Sequence, residues 1–423
     1  MMTVTDQRNM TACSINSSQR IELLDILRGF SLLGILLMNM AFFQSPLTTT
    51  SLGVEGNESG IDYAIAWSLF VFAEGKFYTM FSLLFGIGFV IFYDRAAQKS
   101  SLPKRLFFRR IIVLGLIGVA HAVFIWAGDI LFIYAIAGLF LLFFVRTSAS
   151  RLWKWGIFFI SLPVALLWLS AVSINSSSQS SEEIQQYQID ANEMQSSLSE
   201  VASFANEAYG TGVYEKVTEA RIEEFALIFS SEIVFTISTF LGLFLLGAAL
   251  SRSGVFASPE PQTKVYKKFL IWGGIPGISA ALYASALPAT EMILPTVNAA
   301  LLYSLMQISS LGLCLAYMAF IALMLCRSKN QNSILKNLAP TGRMALTNYL
   351  LQSLCFTTLF YGYGFGLYGE LGRLEMILLA LAFWLCQLKL SQWWLQYFNH
   401  GPFEWLWRLA TYGRWQAFKK VTS

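Results

Sequence analysis

The chain has 423 residues, of which 56% are hydrophobic and only 13% charged, and its mean hydropathy is +0.56. Soluble domains carry roughly 25% charged residues, so the composition excludes a soluble globular protein and predicts a polytopic membrane protein. The formal net charge of +4 comes without any nucleic-acid-binding pattern. Nucleic acid is therefore excluded as a partner, and the lipid bilayer is the expected one.

The polar tail 1–20 has neither an apolar h-region nor a small-residue cleavage site, so no cleavable signal peptide is predicted. Apolar runs long enough to cross a bilayer recur near 21–43, 61–93, 106–126, 129–145, 155–173, 227–250, 269–287, 299–326, 344–361 and 374–398. A span needs about 20 residues, and these make ten. The polar segment 174–226 separates two five-span halves, 21–173 and 227–398, and the segment 399–423 closes the chain. The expected fold class is all-α: a membrane helical bundle of about ten spans with an extracytoplasmic helical cap.

Basic residues set the orientation, because Lys- and Arg-rich loops stay cytoplasmic. Segments 94–110, 146–154, 252–268, 327–343 and 399–423 carry six, three, four, four and four of them. Segment 44–60 has none, and 174–226 has ten acids against Lys216 and Arg221. Alternating these sides through ten spans predicts cytoplasmic N- and C-termini.

The first span, RIELLDILRGFSLLGILLMNM, opens with Asp25 and Arg28 three apart on one helix face. Charges in hydrocarbon are costly unless paired or solvated. Arg28 is thus either half of an intrahelical ion pair near the headgroups or a fixed donor to an anionic group, oriented by Asp25. Asn39 is a second polar point on that helix, a candidate substrate contact or a helix-to-helix hydrogen bond. The run 61–93 carries Glu74-Gly75-Lys76 in its middle. At about 1.5 Å per residue it is too long for one crossing, which predicts a broken helix lining a cavity, or a Lys76 that snorkels to the outer interface.

His121 lies in LIGVAHAVFIWAGDIL, an otherwise apolar run. An imidazole is the natural proton acceptor near neutral pH, so His121 is the candidate general base, against the simpler role of a hydrogen-bonded packing residue. Asp129 follows the Ala127-Gly128 turn and is assigned with it to the catalytic group, while also suiting a helix cap. In 174–226, Ile184, Tyr187, Ala191, Met194, Leu198, Val201, Ala205 and Ala208 recur at three- and four-residue steps, the pattern of an amphipathic cap helix or a gating lid.

Arg343, Asn348 and Gln352 fall in TGRMALTNYLLQS, the last two on one face. In NHGPFEWLWRLATYGRW, Pro402 suits a first helical turn, and Glu404 and Arg408 stand at i and i+4 of a helix lying along the cytoplasmic surface. His400 just before it is expected in solvent. All five charged or amide residues join the candidate donor-binding set.

FGIGF is lodged in an apolar span, so Gly86 and Gly88 predict close helix packing and no phosphate loop. No nucleophile elbow occurs. The five cysteines stand singly, and with two histidines in the chain neither a disulfide framework nor a metal site is expected.

Five ordered segments, LDILRGFSLLGILLMNM, EGKFYTMFSLLFGIGF, HAVFIWAGDILFIYAIAG, GRMALTNYLLQS and GPFEWLWR, resemble the YeiB-like family of bacterial inner-membrane proteins from about Arg20 to Arg414. The C-terminal half of that family is a domain of unknown function, DUF418. More distantly, the LDxLRG pattern is similar to membrane acyltransferases of the acyltransferase-3 and heparan-glucosaminide N-acetyltransferase kind. An acyltransferase-3 protein has a His after that motif where this chain offers Asn39.

That resemblance implies a multi-pass protein of the bacterial inner membrane that moves an acyl group from a cytoplasmic acyl-CoA co-substrate to a small or envelope acceptor, with no permanently bound cofactor. In this reading Asp25 and Arg28 organise the donor pocket and His121 is the base. A transporter using Glu74, Lys76, His121 and Asp129 as a substrate or proton path is the second expectation. A non-catalytic scaffold or sensor presenting the cap is the third.

Overall fold

A computed structural model describes residues 22–49, 54, 59–175, 181–256, 262–289, 295–327 and 334–420; the tail 1–20 and its signal-peptide reading lie outside them. The described residues are a multi-pass bundle of helices. Among the described residues seven helical segments are long and apolar enough to cross a membrane: Glu22–Phe42, Gly60–Lys99 with a break inside it, Pro103–Phe124, Ala149–Ile174, Ile233–Arg252, Val297–Arg327 and Arg373–Tyr397.

The other three expected spans are built from shorter pieces. Segment 129–145 is a helix Leu131–Phe140 that tightens into a 3-10 turn at Leu141–Phe143. Segment 269–287 begins in a wide π turn, Phe269–Gly273, ahead of a helix Gly274–Ser285. Segment 344–361 is a 16-residue helix, Ala345–Phe360, preceded by the short Leu338–Arg343.

In chain order the helices are α1 (Glu22–Phe42), α2 (Gly60–Phe72), α3 (Lys76–Lys99), α4 (Pro103–Phe124), α5 (Leu131–Phe140), α6 (Ala149–Asn175), α7 (Ser181–Thr211) and α8 (Tyr214–Arg252). They continue with α9 (Thr263–Lys268), α10 (Gly274–Ser285), α11 (Val297–Arg327), α12 (Leu338–Arg343), α13 (Ala345–Phe360), α14 (Arg373–Tyr397) and α15 (Pro402–Tyr412).

The second span is broken, as its length requires. Gly75 takes φ +82°, and an added Cβ there would collide with Ser310 Oγ, so glycine is needed both for the left-handed turn and for the approach of α11. Lys76 is 3% exposed and donates from Nζ to the Phe70 carbonyl at 2.9 Å. It closes the freed end of α2 and does not snorkel to an interface, because the broken helix leaves carbonyls that need a donor in a place without water.

Helices in lipid gain little from hydrophobicity and associate by close backbone approach. The seam between α3 and α8 shows this reciprocally: a Cβ on Gly86 would strike the Phe244 carbonyl, and one on Gly247 would strike that of Leu83. Between α1 and α12, Gly29 is closed in by the Leu338 carbonyl and Gly342 by that of Asp25. Gly88, two residues from Gly86, does something else. Its only near neighbour among the described residues is Arg28 Nη2, 3.6 Å from where a Cβ would sit.

At the opposite end of the bundle, α7 and the first half of α8 form the expected cap. The apolar repeat in 174–226 buries Ala191, Ala205 and Ala208, while Met194 is exposed; the side chains of Ile184 and Tyr187 lie outside the described residues. No chain break separates cap from bundle at 226–227, since α8 runs through it as one helix of 39 residues. Glu224 is buried and accepts from the Tyr209 hydroxyl at 2.6 Å and the Leu47 amide at 2.7 Å. Arg221, also buried, donates to the Phe124 carbonyl at 3.0 Å and to Tyr363 Oη at 3.2 Å. These bonds fasten the cap to the ends of α1 and α4 and to the loop before α14.

Two outcomes follow from these contacts. Gly86→Ala pushes α3 off α8 and lowers thermal stability in detergent by about 1–3 kcal/mol, the usual cost of overpacking, whereas Gly88→Ala is tolerated. Glu224 is held above its ordinary value of 4.5 by burial, so it binds a proton more tightly folded than unfolded. Its contribution is complete below the ordinary carboxylate range and is lost as pH rises through the raised value. Hydrogen-exchange protection of residues 205–224 therefore falls with rising pH, and Glu224→Gln removes that dependence.

Candidate functional site

At the basic end of the bundle, α1, α3, α4, α13 and α15 enclose a cavity of about 330 Å³. Its mouth is cationic. Arg28, Arg95, Lys99, Arg110, Arg343 and Arg408 all line it, against the carboxylates of Asp25 and Glu404. Its shaft is apolar and aromatic, running past Leu32, Phe85 and Phe107 to Ile130, Leu131, Tyr134 and Tyr349.

Asp25, Arg28, Arg110 and Glu404 are each held by a local contact. Arg28 Nη1 pairs with Asp25 Oδ1 at 2.9 Å; the carboxylate is 4% exposed and the guanidinium 26%. The ion pair read from the i, i+3 spacing thus forms, and it leaves the guanidinium face toward the cavity. Arg110 stacks over the Trp407 ring at 3.6 Å, and Trp407 Nε1 donates to the Arg110 carbonyl at 2.8 Å. This pins α15 across the N-terminal half of α4.

Glu404 faces inward. Its carboxylate accepts from the Thr347 amide at 3.0 Å and the Thr347 hydroxyl at 2.5 Å, in the first turn of α13, where a helix leaves amides unsatisfied. Burial raises the Glu404 carboxyl above its ordinary range, with those hydrogen bonds opposing the rise. The surface reading of Glu404 is corrected accordingly, since α15 roofs the cavity. His400, expected in solvent, is half-buried at the mouth.

Behind the far end of the shaft lie the two residues assigned to catalysis. His121 and Asp129 are both buried, with Nδ1 2.9 Å from Asp129 Oδ1. Asp129 Oδ2 accepts from the Phe132 amide at 2.7 Å, so one carboxylate caps the first turn of α5 and orients the imidazole. Gly118 allows this approach: a Cβ there would lie 2.4 Å or more from α5 and only 2.8 Å from Asp129 Oδ2. A carboxylate on Nδ1 fixes that nitrogen as the donor and leaves the lone pair on Nε2. Nε2 is buried with no hydrogen-bond partner among the described residues. Between it and the cavity stands Tyr349, whose ring centroid is 5.1 Å from that of His121.

The remaining candidates lie elsewhere. Asn348 and Gln352 belong to a polar stitch between α13 and α14: Asn348 Nδ2 donates to Ser391 Oγ at 3.0 Å, Gln352 Nε2 to Gln387 Oε1 at 2.9 Å, and Gln387 Nε2 to the Asn348 carbonyl at 3.0 Å. Glu74 and Lys76 flank the α2–α3 break, and Asn39 is half-buried near the cap end of α1. None of these five lines the cavity.

Sequence reasoning missed Arg95, Lys99, Arg110, Trp407 and Tyr349 at the cavity, and Gln387 and Ser391 in the stitch. The stitch had a signal, since Gln387 and Ser391 repeat in α14 the four-residue spacing of Asn348 and Gln352. Arg95 and Lys99 are likewise four apart on α3, a spacing that places both on one face.

Residues 250–414 match a family described as "Protein of unknown function (DUF418)". The chain is 32% identical over 421 residues to YxaH of Bacillus subtilis (strain 168), covering 96% of this chain and 98% of the relative. It is 29% identical over 399 residues to YeiB of Escherichia coli (strain K12), covering 93% and 96%. A 39.9 kDa protein in the amylase 3' region of Bacillus acidopullulyticus is 28% identical over 408 residues, covering 94% and 95%. No solved structure matches. With likeness that runs nearly end to end in each relative and a multi-pass helical fold to go with it, the chain belongs to the YeiB-like DUF418 family of membrane proteins.

Proposed function

We propose that the protein is a membrane acyltransferase of the bacterial inner membrane that takes an acyl group from a cytoplasmic acyl-CoA-type thioester. The observation that carries this reading is a cavity lined by six cationic side chains at its mouth, with an apolar shaft that ends in front of the buried His121–Asp129 pair. By the positive-inside rule its mouth faces the cytoplasm, and the termini lie there too. Guanidinium groups in fixed positions recognise phosphates, and an apolar shaft suits an acyl chain. Asp25 holds Arg28, and Arg343 and Arg408 complete the donor set.

In this mechanism His121 Nε2 takes the proton from an acceptor hydroxyl or amine as that atom attacks the thioester carbonyl carbon. The tetrahedral intermediate collapses by breaking the carbon–sulfur bond, and the imidazolium returns its proton to the departing thiolate. Asp129 keeps Nδ1 as donor and stabilises the imidazolium, so it serves as the positioning residue of the pair. The acceptor is a small molecule or an envelope component.

A transport path would have to join Glu74 and Lys76 to His121 and Asp129. None of the four lines the cavity, and Lys76 is committed to the Phe70 carbonyl, which favours a structural role at the helix break.

Acyl-CoA binding to the purified protein and label transfer in membranes test the proposal. Arg28→Ala weakens donor binding by about tenfold or more, the value of one charge-assisted hydrogen bond. His121→Ala lowers transfer by about 10²–10⁴-fold, the range of general-base catalysis, and leaves binding intact. Unchanged binding and transfer in both variants overturn the assignment.

A further inference from the structure

A general base with no route to its substrate does nothing, and the route to His121 is closed in this structure. The cavity lining reaches Tyr349, Ile130 and Leu131 but not the imidazole, and His121 is 1% exposed. Tyr349 touches both sides of that barrier. Its ring borders the shaft and packs on the His121 ring at 5.1 Å, tilted by 44°. Its hydroxyl donates to the Gly128 carbonyl at 3.3 Å, in the turn that delivers Asp129.

We infer that Tyr349 is a gate between the cavity and His121: swinging its ring off the Gly128 carbonyl opens Nε2 to whatever occupies the shaft. Two backbone contacts hold the gate: the bond to the Gly128 carbonyl, at 3.3 Å longer than the usual O–H donor distance of about 2.7–2.8 Å, and a backbone hydrogen bond from Ile130, so the ring is released only when both part. The carbonyl that holds it belongs to the residue before Asp129, which makes closure sense the same turn that orients the imidazole. Nε2 is buried without a hydrogen-bond partner among the described residues, an arrangement whose desolvation cost is relieved once an acceptor proton faces it. The use of Nε2 as a base rests on the acyl-transfer reading; the gate itself is a statement about access.

The chain's two histidines make this testable without a known substrate. His400 lines the cavity and His121 lies behind its far end, so diethylpyrocarbonate entering the cavity reaches the first without passing Tyr349 and the second only when the gate opens. The purified full-length protein in nanodiscs is treated at neutral pH and the two sites are quantified by peptide mass spectrometry. In the native protein His400 is labelled faster than His121. Tyr349→Ala raises the His121 rate by about tenfold or more, as expected when a closed state loses its advantage, and leaves the His400 rate unchanged. Tyr349→Phe, which keeps the ring and loses the Gly128 bond, falls between.

Native labelling of both histidines at equal rates overturns the gate, as does a Tyr349→Ala protein that keeps its His400 rate and thermal transition but leaves His121 at its native rate. Absence of acyl transfer would not alter this labelling pattern, so the two proposals fail separately.

Discussion

A polar or charged group buried among lipid-embedded helices has no water to fall back on, and the architecture of this protein is organised around meeting that demand. The freed carbonyls at the α2–α3 break receive the Lys76 ammonium. The Arg28 guanidinium receives Asp25, the open amides of α13 receive Glu404, and the first turn of α5 receives Asp129. Each answer fixes a helix end. Together they set where the cavity lies and which side chains face it.

Glycine supplies the second condition. Backbones that touch through Gly86 and Gly247, or through Gly29 and Gly342, leave no freedom to slide. With those seams fixed, Gly88, where a Cβ would meet Arg28 Nη2 only at an ordinary 3.6 Å, leaves room beside that side chain. Two residues of one apolar run therefore divide the work of holding the bundle together and of hollowing it.

The fold class, the broken second span and the cap helix were legible in the chain because each depends on local pattern: apolar length, a polar interruption, a three- to four-residue period. The Asp25–Arg28 pair was legible for the same reason. The His121–Asp129 bond was visible only as two separate candidates, since a turn at Ala127-Gly128 has to fold the chain back before residues eight apart can meet. The cationic mouth was legible only in half: Arg28, Arg343 and Arg408 were candidates and line it. Arg95, Lys99 and Arg110 read as loop charges that orient the spans, and their convergence with Arg28 and Arg408 depends on how four helices cross. Besides the broken second span, three of the ten expected spans proved short or interrupted, because apolar length alone does not report where a helix tightens or widens.

The uninterrupted α8 joins regions that the sequence divides. From Tyr214 to Arg252 it is one helix, carrying at one end the Arg221 and Glu224 contacts that fasten the cap and at the other Arg252, which donates to the Val145 and Thr147 carbonyls. At about 1.5 Å per residue such a rod is longer than the hydrocarbon core is thick. Cap and bundle are therefore mechanically continuous: a push on the cap acts as a lever on the loop between α5 and α6, and the two ends of the bundle are joined by a single stiff strut.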